Sequence, residues 1–146
     1  MTQDHAQPDT VTHLADKMGG AFGRFRQDLQ ARMGNTGPLR VSHLRVLDSI
    51  DVDGTRPSTL ADRTEITRQG ISQLLAHLEQ HGYVVSARDP SDRRASLITP
   101  TPSGVEVQQR TVAAVASVED LWRQRLGHDR YEAFVGCLDQ LSARDQ

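Results

Sequence analysis

Thr67-Arg68-Gln69-Gly70-Ile71-Ser72-Gln73-Leu74-Leu75-Ala76-His77-Leu78-Glu79-Gln80-His81-Gly82-Tyr83-Val84-Val85-Ser86, running on to Arg88-Asp89-Pro90-Ser91-Asp92-Arg93-Arg94, is the stretch that decides the fold. Its first half has helical period: Ile71, Leu74, Leu75 and Leu78 share one face. Thr67 is a suitable N-cap, and Gly82 stands where a helix ends on a residue with positive φ. The period then changes. Tyr83-Val84-Val85-Ser86 reads as a strand and Ala95-Ser96-Leu97-Ile98-Thr99 as its antiparallel partner. Residues 88–94 form a polar, turn-prone tip between them.

Upstream, Thr64-Glu65-Ile66 reads as a tight turn after a short helix that Ser58 caps and that carries Leu60, Ala61 and Arg63. Before it, Asp51 to Arg56 is a turn or short extended piece. A helix capped by Ser42 carries Leu44, Leu47 and Ile50 on one face. Gly34-Asn35-Thr36-Gly37-Pro38 separates that helix from residues 11–33, where Val11, Leu14, Ala15, Met18, Phe22, Phe25, Leu29 and Met33 make one apolar stripe. Downstream, Pro100 and Pro102 end the strand. A long helix starting at Pro102 or Ser103 and ending at Gly127 turns Val105, Val112, Val115, Val118, Trp122 and Leu126 to one side. A last helix carries Tyr131, Phe134, Val135, Leu138 and Leu141. The order predicts a mainly α fold with a small β-hairpin: a helix-turn-helix with a hairpin wing, flanked by long amphipathic helices. One compact domain is expected, with residues 39–102 as the winged unit and 1–38 and 103–146 as N- and C-terminal dimerisation helices. The outer stripes exceed what so small a wing unit can cover, so they need each other or a second chain.

Composition sets the class. The chain has 146 residues, 36% hydrophobic and 25% charged, as expected of a globular protein. Its net charge of −2 does not advertise a nucleic-acid binder, but a duplex meets only one face of a protein. Residues 1–10 lack the basic-then-apolar order of a secretory signal, and one cysteine, Cys137, cannot form an intrachain disulfide; a cytoplasmic protein without membrane attachment is expected.

Two constellations carry candidate chemistry. Thr67, Arg68, Gln69, Ser72 and Gln73 lie opposite the apolar face of their helix and near its N-terminus. Arginine and glutamine have the reach and paired groups to read guanine and adenine edges in a major groove, and the helix N-terminus suits phosphate. A merely solvated face is the competing reading. Gly70 lowers helix propensity, which a close approach to neighbouring structure would explain. The second constellation is the tip, where Arg93 and Arg94 can enter a narrow minor groove and Asp92 can orient the Arg94 guanidinium by an ion pair.

Leu44-Arg45-Val46-Leu47, Pro57-Ser58-Thr59-Leu60-Ala61, Thr67 to Leu74 and Leu78 to Val84, in that order, resemble the MarR (multiple-antibiotic-resistance regulator) family. Asp89-Pro90-Ser91-Asp92-Arg93-Arg94-Ala95, followed by Thr101 and Gly104, is similar to that family's wing signature; Pro100 replaces its usual leucine. The resemblance implies a homodimeric transcriptional regulator built on the terminal helices, with double-stranded DNA carrying a pseudo-palindromic site as partner. It places groove contacts on Arg68, Gln69, Ser72 and Gln73 and a minor-groove contact on Arg94. It further implies repression relieved by a small phenolic or anionic effector, with no cofactor.

Other readings attach to single residues. His77 and His81 have the i, i+4 spacing of a metal chelate but no third ligand nearby in sequence, so no metal is expected. Cys137 is a candidate redox group and, more simply, a packing residue. A metal- or redox-responsive regulator of the same fold and a protein-interaction module without DNA are the alternatives. No nucleophile elbow, phosphate loop, zinc signature or carboxylate pair suggests an enzyme.

Overall fold

A computed structural model describes residues 13–143. Eight elements follow in chain order: α1 (Leu14–Met33), α2 (Val41–Asp48), α3 (Pro57–Thr64), α4 (Arg68–Gln80), β1 (Val84–Asp89), β2 (Asp92–Pro100), α5 (Pro102–Leu126) and α6 (His128–Ser142). Val11, assigned above to the first apolar stripe, lies outside the described residues. None of the described helices is long and apolar enough to cross a membrane.

The core lies where α2, α3 and α4 meet the base of the hairpin and the first half of α5. Val46, Leu47, Leu60, Ile71, Leu78 and Val84 are sealed from solvent there, and Val118 is sealed further along α5. Leu29 and Met33 close it from the end of α1. Polar groups fasten the helices at their ends, where backbone groups are otherwise unpaired. The Gln108 amide of α5 donates to the carbonyls of Leu47 (2.7 Å) and Ile50 (2.9 Å), and Arg110 donates to Met33 O at 2.6 Å. Asp28 of α1 accepts from Arg24 (3.2 Å) and from the Trp122 indole (3.0 Å).

Two of the predicted N-caps move by two residues. Ser42 does not cap α2: the N-cap is Arg40, whose backbone N–H donates to His43 Nδ1 at 3.0 Å, the place a capping-box glutamate would take. Ser58 does not cap α3: Pro57 occupies its first position, where a missing N–H costs nothing, and Arg56 is the N-cap. Thr67 does cap α4, accepting from the Gly70 N–H at 3.1 Å. The tight turn before it is made by Glu65, at φ 55°. A Cβ on Gly70 would lie 2.8 Å from Ile66 Cγ2, so its lower helix propensity is offset by a close-packed turn.

The strands are longer than predicted and the tip shorter. Only Pro90 and Ser91 turn, while Arg88, Asp89, Asp92, Arg93 and Arg94 are strand residues. Cross-strand pairing and a bulge hold these polar residues extended where turn propensity alone suggests a loop. Thr55 adds a one-residue third strand, exchanging two 2.9 Å hydrogen bonds with Ile98. Pro100 completes β2 opposite Val84.

The face expected of α5 holds in part. Val118 is buried and Val115 and Trp122 pack against the core, but Gly104, Val107, Thr111 and Ala114 complete the buried face and Val112 is exposed. Small apolar residues surround this helix on several sides, so counting them selects no unique face.

Candidate nucleic-acid interface

Thr67, Arg68, Gln69, Ser72 and Gln73 are all exposed on the first two turns of α4, whose opposite face buries Ile71, Leu75 and Leu78. The first turn contains no acidic residue, so the helix dipole leaves this end electropositive. The Ser72 hydroxyl donates to Arg68 O at 3.0 Å, which leaves its oxygen to accept. Among the described residues, the side chains of Arg68, Gln69 and Gln73 make no hydrogen bond or ion pair and are free to meet a groove.

The wing is built around a bulge. Arg88 faces Ser96 and Asp89 faces Asp92, so Arg93, Arg94 and Ala95 stand opposite no residue of β1. Three extra residues on one strand bend it and raise its twist, which thrusts both arginines outward, and both are exposed.

The expected ion pair between Asp92 and the Arg94 guanidinium is not formed. Asp92 Oδ1 instead accepts the Arg94 backbone N–H at 3.1 Å, shaping the bulge and leaving the guanidinium unpaired. The carboxylate that anchors the wing is Asp89. It is buried, its Oδ1 accepts from the Ser91 hydroxyl (2.7 Å) and N–H (2.8 Å), and its Oδ2 meets the Arg56 guanidinium at 2.7 Å. Arg56, at the N-cap of α3, thus ties the wing to the helix-turn-helix. Sequence reasoning passes over Arg56. The signal available was that Asp89, rather than Asp92, precedes the Pro-Ser turn and so can close an Asx turn on Ser91.

The two hydrogen bonds from Ser91, with Arg56 beside them, hold the Asp89 carboxyl down at about 2, below its ordinary 3.8. A carboxylate depressed in the folded state stabilises it fully above 3.8, and that contribution disappears as pH falls toward 2. Asp89→Asn should therefore lower the unfolding temperature at neutral pH and flatten its fall below about pH 4. Circular dichroism melts of both proteins from about pH 7 to 2.5 test this; parallel curves would show that the clamp adds nothing.

Elsewhere, His77 Nε2 lies 3.0 Å from Pro38 O, and its ring stacks on His43 at 4.2 Å. No group of three or more histidine, cysteine or acidic residues among the described residues is arranged to hold a metal ion. Cys137 is exposed on α6.

Residues 38–95, which span the helix-turn-helix and most of the wing, match the MarR family. A proposed transcriptional regulatory protein for the hcr operon of Thauera aromatica is 28% identical over 133 residues, covering 91% of this chain and 78% of that protein. The HTH-type transcriptional regulator PrsX of Escherichia coli is 33% identical over 79 residues, 53% of this chain and 47% of that protein. Among solved structures, the transcriptional repressor CouR bound to a 23-mer DNA duplex superposes with a TM-score of 0.72 at 28% identity, covering 90% of this chain and 93% of CouR. The winged unit is thus similar in sequence to the MarR family, and nearly the whole chain is similar in fold to the DNA-bound repressor CouR.

Proposed function

We propose that this protein binds a pseudo-palindromic duplex as a homodimer and represses transcription until a small anionic or phenolic effector releases it. The observation that carries this reading is the unpaired polar face of α4 beside the outthrust arginines of the wing. On this reading Arg68, Gln69, Ser72 and Gln73 read the major groove, with Thr67 at the helix N-terminus. Arg94 enters the minor groove, Arg93 meets the backbone, and Asp92 shapes the bulge. Residues 39–102 form the reading unit, 1–38 and 103–146 the dimerising helices. The protein acts in the cytoplasm and catalyses no reaction.

The homodimer is supported by an apolar cleft of about 450 Å³ between α1, α5 and α6, lined by Met18, Phe22, Phe25, Trp122, Phe134 and Leu138. Leu14 (72% exposed) and Leu141 (79% exposed) extend the same apolar surface beyond what a single chain covers. The effector is supported by a cleft of about 690 Å³ between α1 and α2. Phe22, Met33 and Leu44 give it an apolar floor, and Arg26, Arg40 and Arg45 supply cationic walls suited to an aromatic carboxylate.

Binding-site selection, followed by titration of the selected duplex, tests the reading. Gln69→Ala and Gln73→Ala should each relax preference at particular base pairs and cost about 1–3 kcal/mol on the selected site, with far smaller losses on random DNA. Wild-type discrimination in both variants would remove α4 from the groove.

A further inference from the structure

Three histidine rings follow one another from the core to solvent. His43 of α2 is buried, His77 of α4 is half-buried and His81 at the end of α4 is exposed. His43 and His77 stack at 4.2 Å with 20° between their planes, and His77 and His81 follow at 4.5 Å and 52°. The hydrogen bonds fix two protons. Pro38 O can only accept, so His77 Nε2 carries a proton. Arg40 N–H can only donate, so His43 Nδ1 is bare, and its ring is the neutral Nε2–H tautomer.

A proton on His43 Nδ1 would set two donors against each other and break the bond that caps α2. The resulting imidazolium would sit at a helix N-terminus, where a cation is unfavourable. Around it, α4 presents His77 and His81, and the N-cap presents Arg40, all cationic when protonated. From α5, Gln108 bonds the carbonyls of Leu47 and Ile50 at the far end of α2, Arg110 bonds Met33 O and Glu106 is exposed. At that far end Arg63 of α3 pairs with Asp51, and burial holds the Asp48 carboxyl above its usual range. No carboxylate is among the groups acting on His43.

We propose that the His43–His77–His81 stack is a proton sensor, in which protonation of His43 uncaps α2, drives it away from α4 and weakens DNA binding as pH falls. The consequence for DNA rests on the regulatory reading above; the consequence for the fold does not. Burial first, then His77, Arg40 and His81, holds the His43 ring below its ordinary 6.5. A histidine depressed in the folded state leaves the fold fully stable above 6.5, and the unfolded chain takes up the proton first as pH drops through the window beneath. Arg40 also lines the cleft between α1 and α2, so loss of the cap disturbs effector binding as well.

The test uses full-length protein at constant ionic strength from about pH 8 to 5. Histidine ring resonances give each titration, thermal melts give stability, and anisotropy with a duplex from upstream of the protein's own gene gives affinity. In the wild type, stability should fall as pH drops below 6.5 and level off once the folded His43 ring itself titrates. Affinity should drop on the order of tenfold as the folded His43 ring titrates. His43→Gln keeps an acceptor for the Arg40 N–H but cannot titrate, so its profiles should be flat. His77→Gln, which removes one like charge, should move the wild-type midpoint upward and serves if His43→Gln does not fold. A His43 ring that titrates at or above 6.5, a stability profile flat in the wild type, or matching slopes in wild type and His43→Gln overturns the proposal. A pH-dependent melt without any DNA binding overturns the regulatory reading and leaves the sensor standing.

Discussion

Gly104→Ala will destabilise the protein by about 3 kcal/mol or more, the largest loss expected from adding a single methyl group. A Cβ at this position would collide with the carbonyl oxygen of Tyr83 and lie 3.1 Å from its carbon. That peptide cannot yield, because its oxygen accepts the Thr101 N–H at 3.0 Å. Thr101 holds the same junction from its side chain: the hydroxyl donates to Gly82 O at 2.6 Å and accepts the Gly104 N–H at 3.1 Å. The first turn of α5 is therefore seated directly on the backbone that joins α4 to β1. Urea unfolding at fixed protein concentration measures the loss. Gly136→Ala, where a Cβ would meet nothing within 4 Å, is the control. Equal midpoints for wild type and Gly104→Ala would mean that α5 is not seated this way.

Arg94→Ala will weaken operator binding by about tenfold to a hundredfold, the range for removing a charge-assisted hydrogen bond from a site of high negative potential. The salt dependence should become shallower by about 0.9 for each phosphate that is no longer neutralised. Folding should barely change, because the guanidinium is unpaired in the free protein and the bulge is shaped by Asp92 through the backbone. Asp92→Ala should weaken binding less than Arg94→Ala, by letting the bulge relax. Titrations on one duplex at several salt concentrations, with melts as control, give all three quantities. An Arg94→Ala protein with wild-type affinity and salt slope would show that the wing stands clear of the DNA.

Much of this architecture is legible in the chain. Thr67 and Gly82 bracket α4, and Ile71, Leu75 and Leu78 name its buried face, because cap chemistry and helical period agree there. The α2 face is legible too: Leu44, Leu47 and Ile50 are buried, with Val46 among them. Legibility fails where tertiary contacts override local preference. Arg40 rather than Ser42 starts α2 because His43 folds back on the cap. Arg93 and Arg94 are strand residues because β2 runs through a bulge between its pairings at Asp92 and Ser96. Arg56 and Asp89 are 33 positions apart, and no local pattern announces that pairing. The face of α5 escapes a periodicity count because polar Gln108 turns inward to reach α2 while Val112 turns out. The residues assigned to DNA all lie exposed on α4 or in the wing, where polarity and helix position together made them readable as a group.

The Gln108 amide has a mechanical consequence. Its two bonds to the end of α2, with the Thr101–Gly82 bond and the seat of Gly104, rivet the first two turns of α5 to the reading unit. The same helix continues without a break through 25 residues, about 37 Å at 1.5 Å per residue, into the half that packs against α1 and α6. It is therefore a lever whose short arm is bolted to the recognition helix. A tilt of about 5° about that bolt displaces the far end by roughly 3 Å. In the homodimer proposed above, a small shift where the two subunits meet would swing each α4 through the same angle, altering the span between them without deforming either reading unit.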